Sequence, residues 1–198
     1  MSALRIEALT GARLQTHLPD VARLRIEVFR AYPYLYDGDY DYEARYIAAF
    51  AASPHAVVVG AFDGSSLVGA STAAPLAAQV DDVTTPFRAR GDDLSKVFYF
   101  GESVLRDAHR GQGIGVRFFE EREAHALAHD ATVAAFCAVV RADGHPGRPR
   151  GYVPLDAFWR KRGYAPVPNL TCRMSWHDIG EVEETRKVMQ FWTKRLTP

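Results

Sequence analysis

Six residues, Arg110-Gly111-Gln112-Gly113-Ile114-Gly115, sit between an apolar run, Val97 to Leu105, and a segment of helical composition, Ile114 to His129. Glycines alternating in this way do not extend a strand or nucleate a helix, so they fix a tight turn from one to the other. Such a turn gives glycine a chemical meaning. Without a Cβ the backbone can approach a bulky anion, and the free N–H groups at a helix start, with the helix dipole behind them, favour negative charge. Arg110 adds a full positive charge with a planar set of donors. Two phosphate loops are excluded: no Gly-Lys-Ser/Thr follows, and Gly111, Gly113 and Gly115 do not match Gly-x-Gly-x-x-Gly. No acidic ribose ligand ends the next strand near Val140 either. The turn is therefore a packing device or a phosphate site of another kind.

Periodicity supplies the frame around it. Leu4 to Leu9 alternates as a half-buried strand, and Leu14 to Phe29 has helical spacing. Ala31 to Tyr42 holds five tyrosines among proline, glycine and aspartate and reads as a loop, followed by a short helix from Glu43 to about Ala52. His55 to Phe62 and Leu67 to Ala73 form a hairpin about Asp63-Gly64-Ser65-Ser66, and Pro75 to Asp93 is expected to be irregular. Thr132 to Val140 suits a strand buried on both faces. Arg141 to Arg150 reads as loop, Leu155 to Lys161 as one or two helical turns capped by Gly163, and Leu170 to Trp176 as a strand. The last segment, Lys187 to Lys194, is read as a strand, although Val188, Phe191 and Trp192 also fit a helical face.

The 198 residues are long enough for one compact domain spanning 1–198. Lys plus Arg balance Asp plus Glu at 24 each, which argues against nucleic acid as a partner. No apolar run is long enough for a membrane span, and Met1-Ser2-Ala3-Leu4-Arg5 lacks the layout of a secretory leader, so a cytoplasmic protein with no membrane partner is expected. Cys137 and Cys172 lie in apolar or alternating segments without Cys-x-x-Cys spacing and read as buried structural thiols. His125 and His129 have the spacing of a two-histidine metal site on a helix but no identifiable third ligand, so no metal is expected.

Arg110-Gly111-Gln112-Gly113-Ile114-Gly115 after a strand resembles the acyl-CoA pyrophosphate motif, Arg-x-x-Gly-x-Gly, of the GNAT superfamily of N-acetyltransferases. Ala157-Phe158-Trp159-Arg160-Lys161-Arg162-Gly163-Tyr164 is similar to that family's Phe-Tyr-x-x-x-Gly-Phe segment, and the order of elements follows the family's from Leu4 to Lys194. The resemblance implies an α/β (α+β) fold. Its mixed, mostly antiparallel central sheet has about seven strands, with helices on both faces and a splayed acyl-CoA cleft. It further implies an enzyme that moves an acetyl group from acetyl-CoA, as co-substrate, to a primary amine of a small molecule.

Carried over by position, Ser103, Val104 and Leu105 would face the pantetheine arm. Gln112, Gly113, Ile114 and Gly115 would offer N–H groups to the pyrophosphate, beside Gly111 and the Arg110 side chain. Glu102 would act as general base; the alternative is a strand glutamate facing solvent or paired with a basic neighbour. Trp159 stands where relatives commonly have a tyrosine that protonates the departing thiolate, and indole offers only a weak donor. Tyr152, Tyr164 or water would then supply the proton, and Trp159 would be a wall of the donor pocket or a core aromatic. The missing tyrosine also keeps open a non-catalytic acyl-CoA-binding sensor. On the acceptor side, Tyr34, Tyr36 and Asp37 in the tyrosine-rich loop suit a cationic amine, polyamine-like, amino-acid-derived or aminoglycoside-like, unless the loop is simply a solvated turn. Dimers are common among relatives, so Phe191 and Trp192 would seal a homodimer interface or finish the core.

Overall fold

The computed structural model describes residues 4–197, so Met1, Ser2 and Ala3 of the stretch inspected for a leader, and Pro198, lie outside the described residues. The chain runs β1 (Leu4–Leu9), α1 (Gly11–Phe29), α2 (Tyr40–Ala51), β2 (Val57–Asp63), β3 (Ser66–Pro75), α3 (Asp81–Arg90), β4 (Val97–Leu105) and α4 (Ile114–Ala128). It continues through β5 (Val133–Val139), α5 (Asp156–Arg160), β6 (Ala165–Trp176) and β7 (Thr185–Arg195). All seven strands join one sheet in the order β1-β2-β3-β4-β5-β7-β6. Every pairing is antiparallel except β4 with β5.

Alternation along the strands sends successive side chains to opposite faces, and each face has its own helices. Phe98, Phe100 and Phe136 pack with Ile114, Phe118 and Phe119 of α4. Val58, Ala70 and Val104 pack with Leu14, Val21 and Leu24 of α1 and Ile47 of α2, while Tyr99, Cys137 and Phe191 pack with Val83 and Phe87 of α3. Phe191 and Trp192 are buried within the one chain, so they finish its core rather than wait for a subunit interface. Both cysteines are free and buried.

Three expectations change or sharpen, and a fourth holds. Residues 75–93 are not irregular throughout, because α3 forms there. Asp81 and Asp82 sit in its first turn, Arg88 and Arg90 in its last, and Gly91 closes it in the left-handed conformation. Helix α2 starts at Tyr40 rather than Glu43, since the Asp39 side chain accepts from the Tyr42 N–H at 2.8 Å. The final segment is a strand along its whole length, held between β5 and β6. Gly163 ends α5 as expected: its N–H donates to Arg160 O and that of Tyr164 to Trp159 O, the paired bonds of a left-handed cap. No helix among the described residues is long and apolar enough to cross a membrane.

Two irregularities shape the middle of the sheet. The parallel strands β4 and β5 pair only through Val97 to Tyr99 and Val133 to Ala135, then part. Opposite β3, the register slips between Ser71 and Ala73, which pair with Ser103 and Phe100, so β4 carries one extra residue at Gly101-Glu102. The bulge reverses the alternation beyond it. Glu102 and Val104 therefore face α1 and α2, and Ser103 and Leu105 face α4.

Candidate functional site

The glycine turn has the geometry of an anion cradle. Gly113 caps α4 in the left-handed conformation (φ 80°) that side chains resist, and Gly111 shares it at 76°. Among the described residues, the N–H groups of residues 111–115 donate to no protein acceptor. They cluster at the positive end of a fifteen-residue helix. Arg110, loosely paired with Asp107 at 3.0 Å and largely exposed, stands beside them.

From this cradle a cleft of about 560 Å³ follows the gap between β4 and β5, walled by Phe100, Ser103, Leu105, Phe136 and Trp159. A second cavity of about 320 Å³ opens on the opposite face, walled by Arg25, Glu43, Tyr46, Tyr99 and Trp176. Phe29, Tyr34, Gly101, Glu102 and Cys137 line both. The two cavities thus meet where the strands separate and β4 bulges.

A buried charge array occupies this junction. Arg25 of α1 donates Nε to Glu43 of α2 and pairs through Nη1 with Glu102 Oε2 at 2.5 Å, and all three side chains are at least nine-tenths buried. Burial works against the Arg25 cation, but Glu102, Tyr46 and Glu43 outweigh it and hold the guanidinium above its ordinary range. Glu102 Oε1 is buried without a hydrogen-bond partner among the described residues. On the other face Arg122 of α4, fully buried against the Phe100 and Phe119 rings, donates Nη1 to the carbonyls of Thr72 and Glu102, both at 3.3 Å. It therefore braces the bulge that presents Glu102, and burial pulls it down to about 10. Tyr34 lies over the junction. Burial, with Cys137 and Glu102 nearby and Arg25 opposing, holds its phenol above the ordinary range.

The roof of both cavities, residues 31–37, is latched from the far edge of the sheet. Arg141, just beyond β5, donates to Pro33 O and Tyr34 O, both at 2.8 Å, and grips Asp178 with two nitrogens at 2.7 and 2.9 Å. Lys187 joins Asp178 at 3.2 Å and Glu181 at 2.9 Å, and Trp176 Nε1 donates to Tyr34 O at 3.0 Å.

Most residues singled out in the sequence converge here. Ser103, Leu105, Arg110, Gly111, Gly113, Ile114, Gly115, Tyr152 and Trp159 line the larger cleft, Glu102 and Tyr34 line both cavities, and Tyr36 lines the smaller. Three fall outside. The Val104 side chain is buried among α1 residues, on the face away from the larger cleft; Gln112 bonds Ala108 O at 3.3 Å and lines neither cavity; Asp37 is exposed and paired with Arg30 at 2.8 Å. Trp159 is packed edge-on against Phe136 and Trp192, so it is pocket wall and core aromatic at once. Tyr152 lies edge-on to Tyr32 at 4.7 Å and lines only the larger cleft; burial, then Tyr32, raises its phenol. The sequence reading missed Arg25, Glu43 and Arg122. Their signal was a charged residue inside an apolar helical stripe, Arg25 with Val21, Ala22 and Phe29, and Arg122 with Phe118, Phe119 and Ala126.

Solved structures of the same fold span the whole chain. A protein of Acinetobacter baylyi ADP1 described as an acetyltransferase superposes with a TM-score of 0.64 at 14% identity, over 99% of this chain and 94% of that one. A protein of Desulfovibrio desulfuricans assigned to the GNAT family gives 0.60 at 10% identity, over 98% and 100%. An aminoglycoside 6'-N-acetyltransferase complexed with coenzyme A gives 0.59 at 17% identity, over 97% and 98%. No protein-family model and no curated protein matches the sequence. At these identities the likeness is one of fold.

Proposed function

We propose that this chain, which has the fold of the GNAT acetyltransferases, transfers an acetyl group from acetyl-CoA to a primary amine of a small molecule. The observation that carries this reading is the junction: two cavities on opposite faces of the sheet meet at Glu102, where β4 and β5 part. A nucleophile and an acyl group brought from opposite faces need such a passage, and holding both there replaces a bimolecular encounter with a positioned one.

The donor side fits the residues present. Arg110 and the free N–H groups of residues 111–115 would hold the pyrophosphate, and the unpaired edge of β4 from Gly101 to Leu105 would meet the amides of the pantetheine arm. The thioester supplies an acyl carbon open to attack by a neutral amine. Glu102 is assigned the proton from that amine, directly or through water: Arg25 fixes one carboxylate oxygen and the other remains open as an acceptor. Unpaired β4 N–H groups are suited to the charge developing on the acyl oxygen. For the proton to the departing thiolate we assign Tyr34 in preference to Tyr152, because Tyr34 lines both cavities where they meet and Tyr152 lines only the larger. The free, buried thiols agree with a cytoplasmic location.

Calorimetric titration of acetyl-CoA into the wild type and Arg110→Ala, followed by thiol release over an amine panel, tests the reading. Binding weakened by the substitution, together with amine-dependent release, is the expected result. Binding without release would identify a sensor, and no binding of any CoA compound would end the acyl-transfer reading.

A further inference from the structure

Resting on the acetyl-transfer reading, we infer that the smaller cavity accepts a compact monoamine carried on an aromatic or flat apolar body and bearing no carboxylate. Charge gives the first reason. Glu43, Glu102 and Asp82 line this cavity against one guanidinium, Arg25, which already donates to two of those carboxylates. An incoming carboxylate meets excess negative charge and no unpaired cation, whereas an ammonium is attracted. Glu102 Oε1, buried and unpartnered, is the acceptor that an amine N–H would satisfy.

The walls give the second reason. Phe29, Tyr34, Tyr36, Tyr46, Tyr99 and Trp176 surround the space, and Tyr34 and Trp176 lie 5.9 Å apart and tilted by 37°. Three of these rings already serve as cation faces, with the Arg25 guanidinium 4.5 Å from the Tyr46 centroid and 5.2 Å from that of Phe29, and the Lys187 ammonium 5.2 Å from that of Trp176. Met174 and Met189 complete the apolar part of the wall, and with Glu43 and Glu102 both held by Arg25 a second ammonium would find only the exposed Asp82. Size is the third reason: about 320 Å³ lies at the small end of the roughly 300–1,000 Å³ of small-molecule sites. That suits one ring system with a short amine arm and excludes a multi-ring aminosugar.

The probes are phenethylamine and tryptamine, their carboxylated counterparts phenylalanine and tryptophan, spermidine, and an aminoglycoside. Each is titrated calorimetrically into protein with and without acetyl-CoA and assayed for thiol release. The arylalkylamines should bind, and should exceed the matched amino acids and spermidine in kcat/KM by about tenfold or more. Preference for an amino acid, spermidine or the aminoglycoside would overturn the inference and leave acetyl transfer standing. Arylalkylamine binding without acetyl-CoA binding would remove the transfer reading and keep the cavity's ligand class. If no arylalkylamine binds in either state, the inference fails.

Discussion

At the scale of residues, the junction depends on a few charges taken out of water. Removing one member of a buried ion pair leaves its partners uncompensated, so Arg25→Met, which strands Glu43 and Glu102, should lower stability by about 3–5 kcal/mol in denaturant unfolding. Glu102→Gln is different, because Arg25 keeps Glu43 and the amide keeps the shape. It should retain the fold and acetyl-CoA binding while thiol release falls roughly 10²- to 10⁴-fold. Equal loss in acetyl-CoA binding would assign Glu102 to the donor site instead. Glu102 was legible in the sequence because the strand and the glycine turn fix its place. Its partners were not, because they come from α1 and α2, 77 and 59 positions earlier in the chain. A charge in an apolar stripe announces burial, but only the fold says against what.

At the scale of elements, the loop over both cavities owes its position to Arg141 and the β6–β7 end. Arg141→Ala would free Pro33 O, leave Tyr34 O with the Trp176 indole alone and leave the Asp178 carboxylate with Lys187 alone. Weaker binding on both the donor and acceptor sides should follow, read as raised KM for each, with a smaller change in kcat. The same network has an acid limit. Lys187, then the Asp178 N–H, holds Glu181 at about 2 against an ordinary value near 4.5. A depressed carboxylate contributes stability above its unfolded value and loses it as pH falls through the folded one. Trp176 emission, with the Lys187 ammonium 5.2 Å from its ring, should therefore change between about pH 4.5 and 2 in the wild type and not in Glu181→Gln. Elements with strong alternation, β1, or a continuous apolar run, β4 and β5, were legible to within about two residues, as was the glycine cap of α5. Helix α3 was not, since Pro86 and a run of aspartates read as loop; the dipole-matched charges at its two ends were the overlooked signal.

At the scale of the whole molecule, a stack of histidines ties α4 to the start of β2. His129 lies 4.2 Å from the ring of His55 and 4.6 Å from that of His125, and His125 Nε2 meets His55 O at 2.8 Å. Burial, then His125 and His55, keeps His129 below its ordinary 6.5, with Asp130 opposing. The unfolded chain then takes up the proton first, so this contribution to stability is present above about pH 6.5 and fades as pH falls toward the folded value. The melting temperature should drop between pH 7.5 and 5.5, and His129→Gln should flatten that dependence. The pairing of β4 with β5, only three residues long, has a wider effect. Beyond those three residues the two strands no longer bond to each other, so a molecule seated between them would complete the protein's own architecture. Occupancy would become a component of folding stability, worth about 2.7 kcal/mol at a hundredfold excess over Kd. The abundance of such a chain in a cell would then track the supply of that molecule, and scarcity of the ligand would be felt first as lost protein.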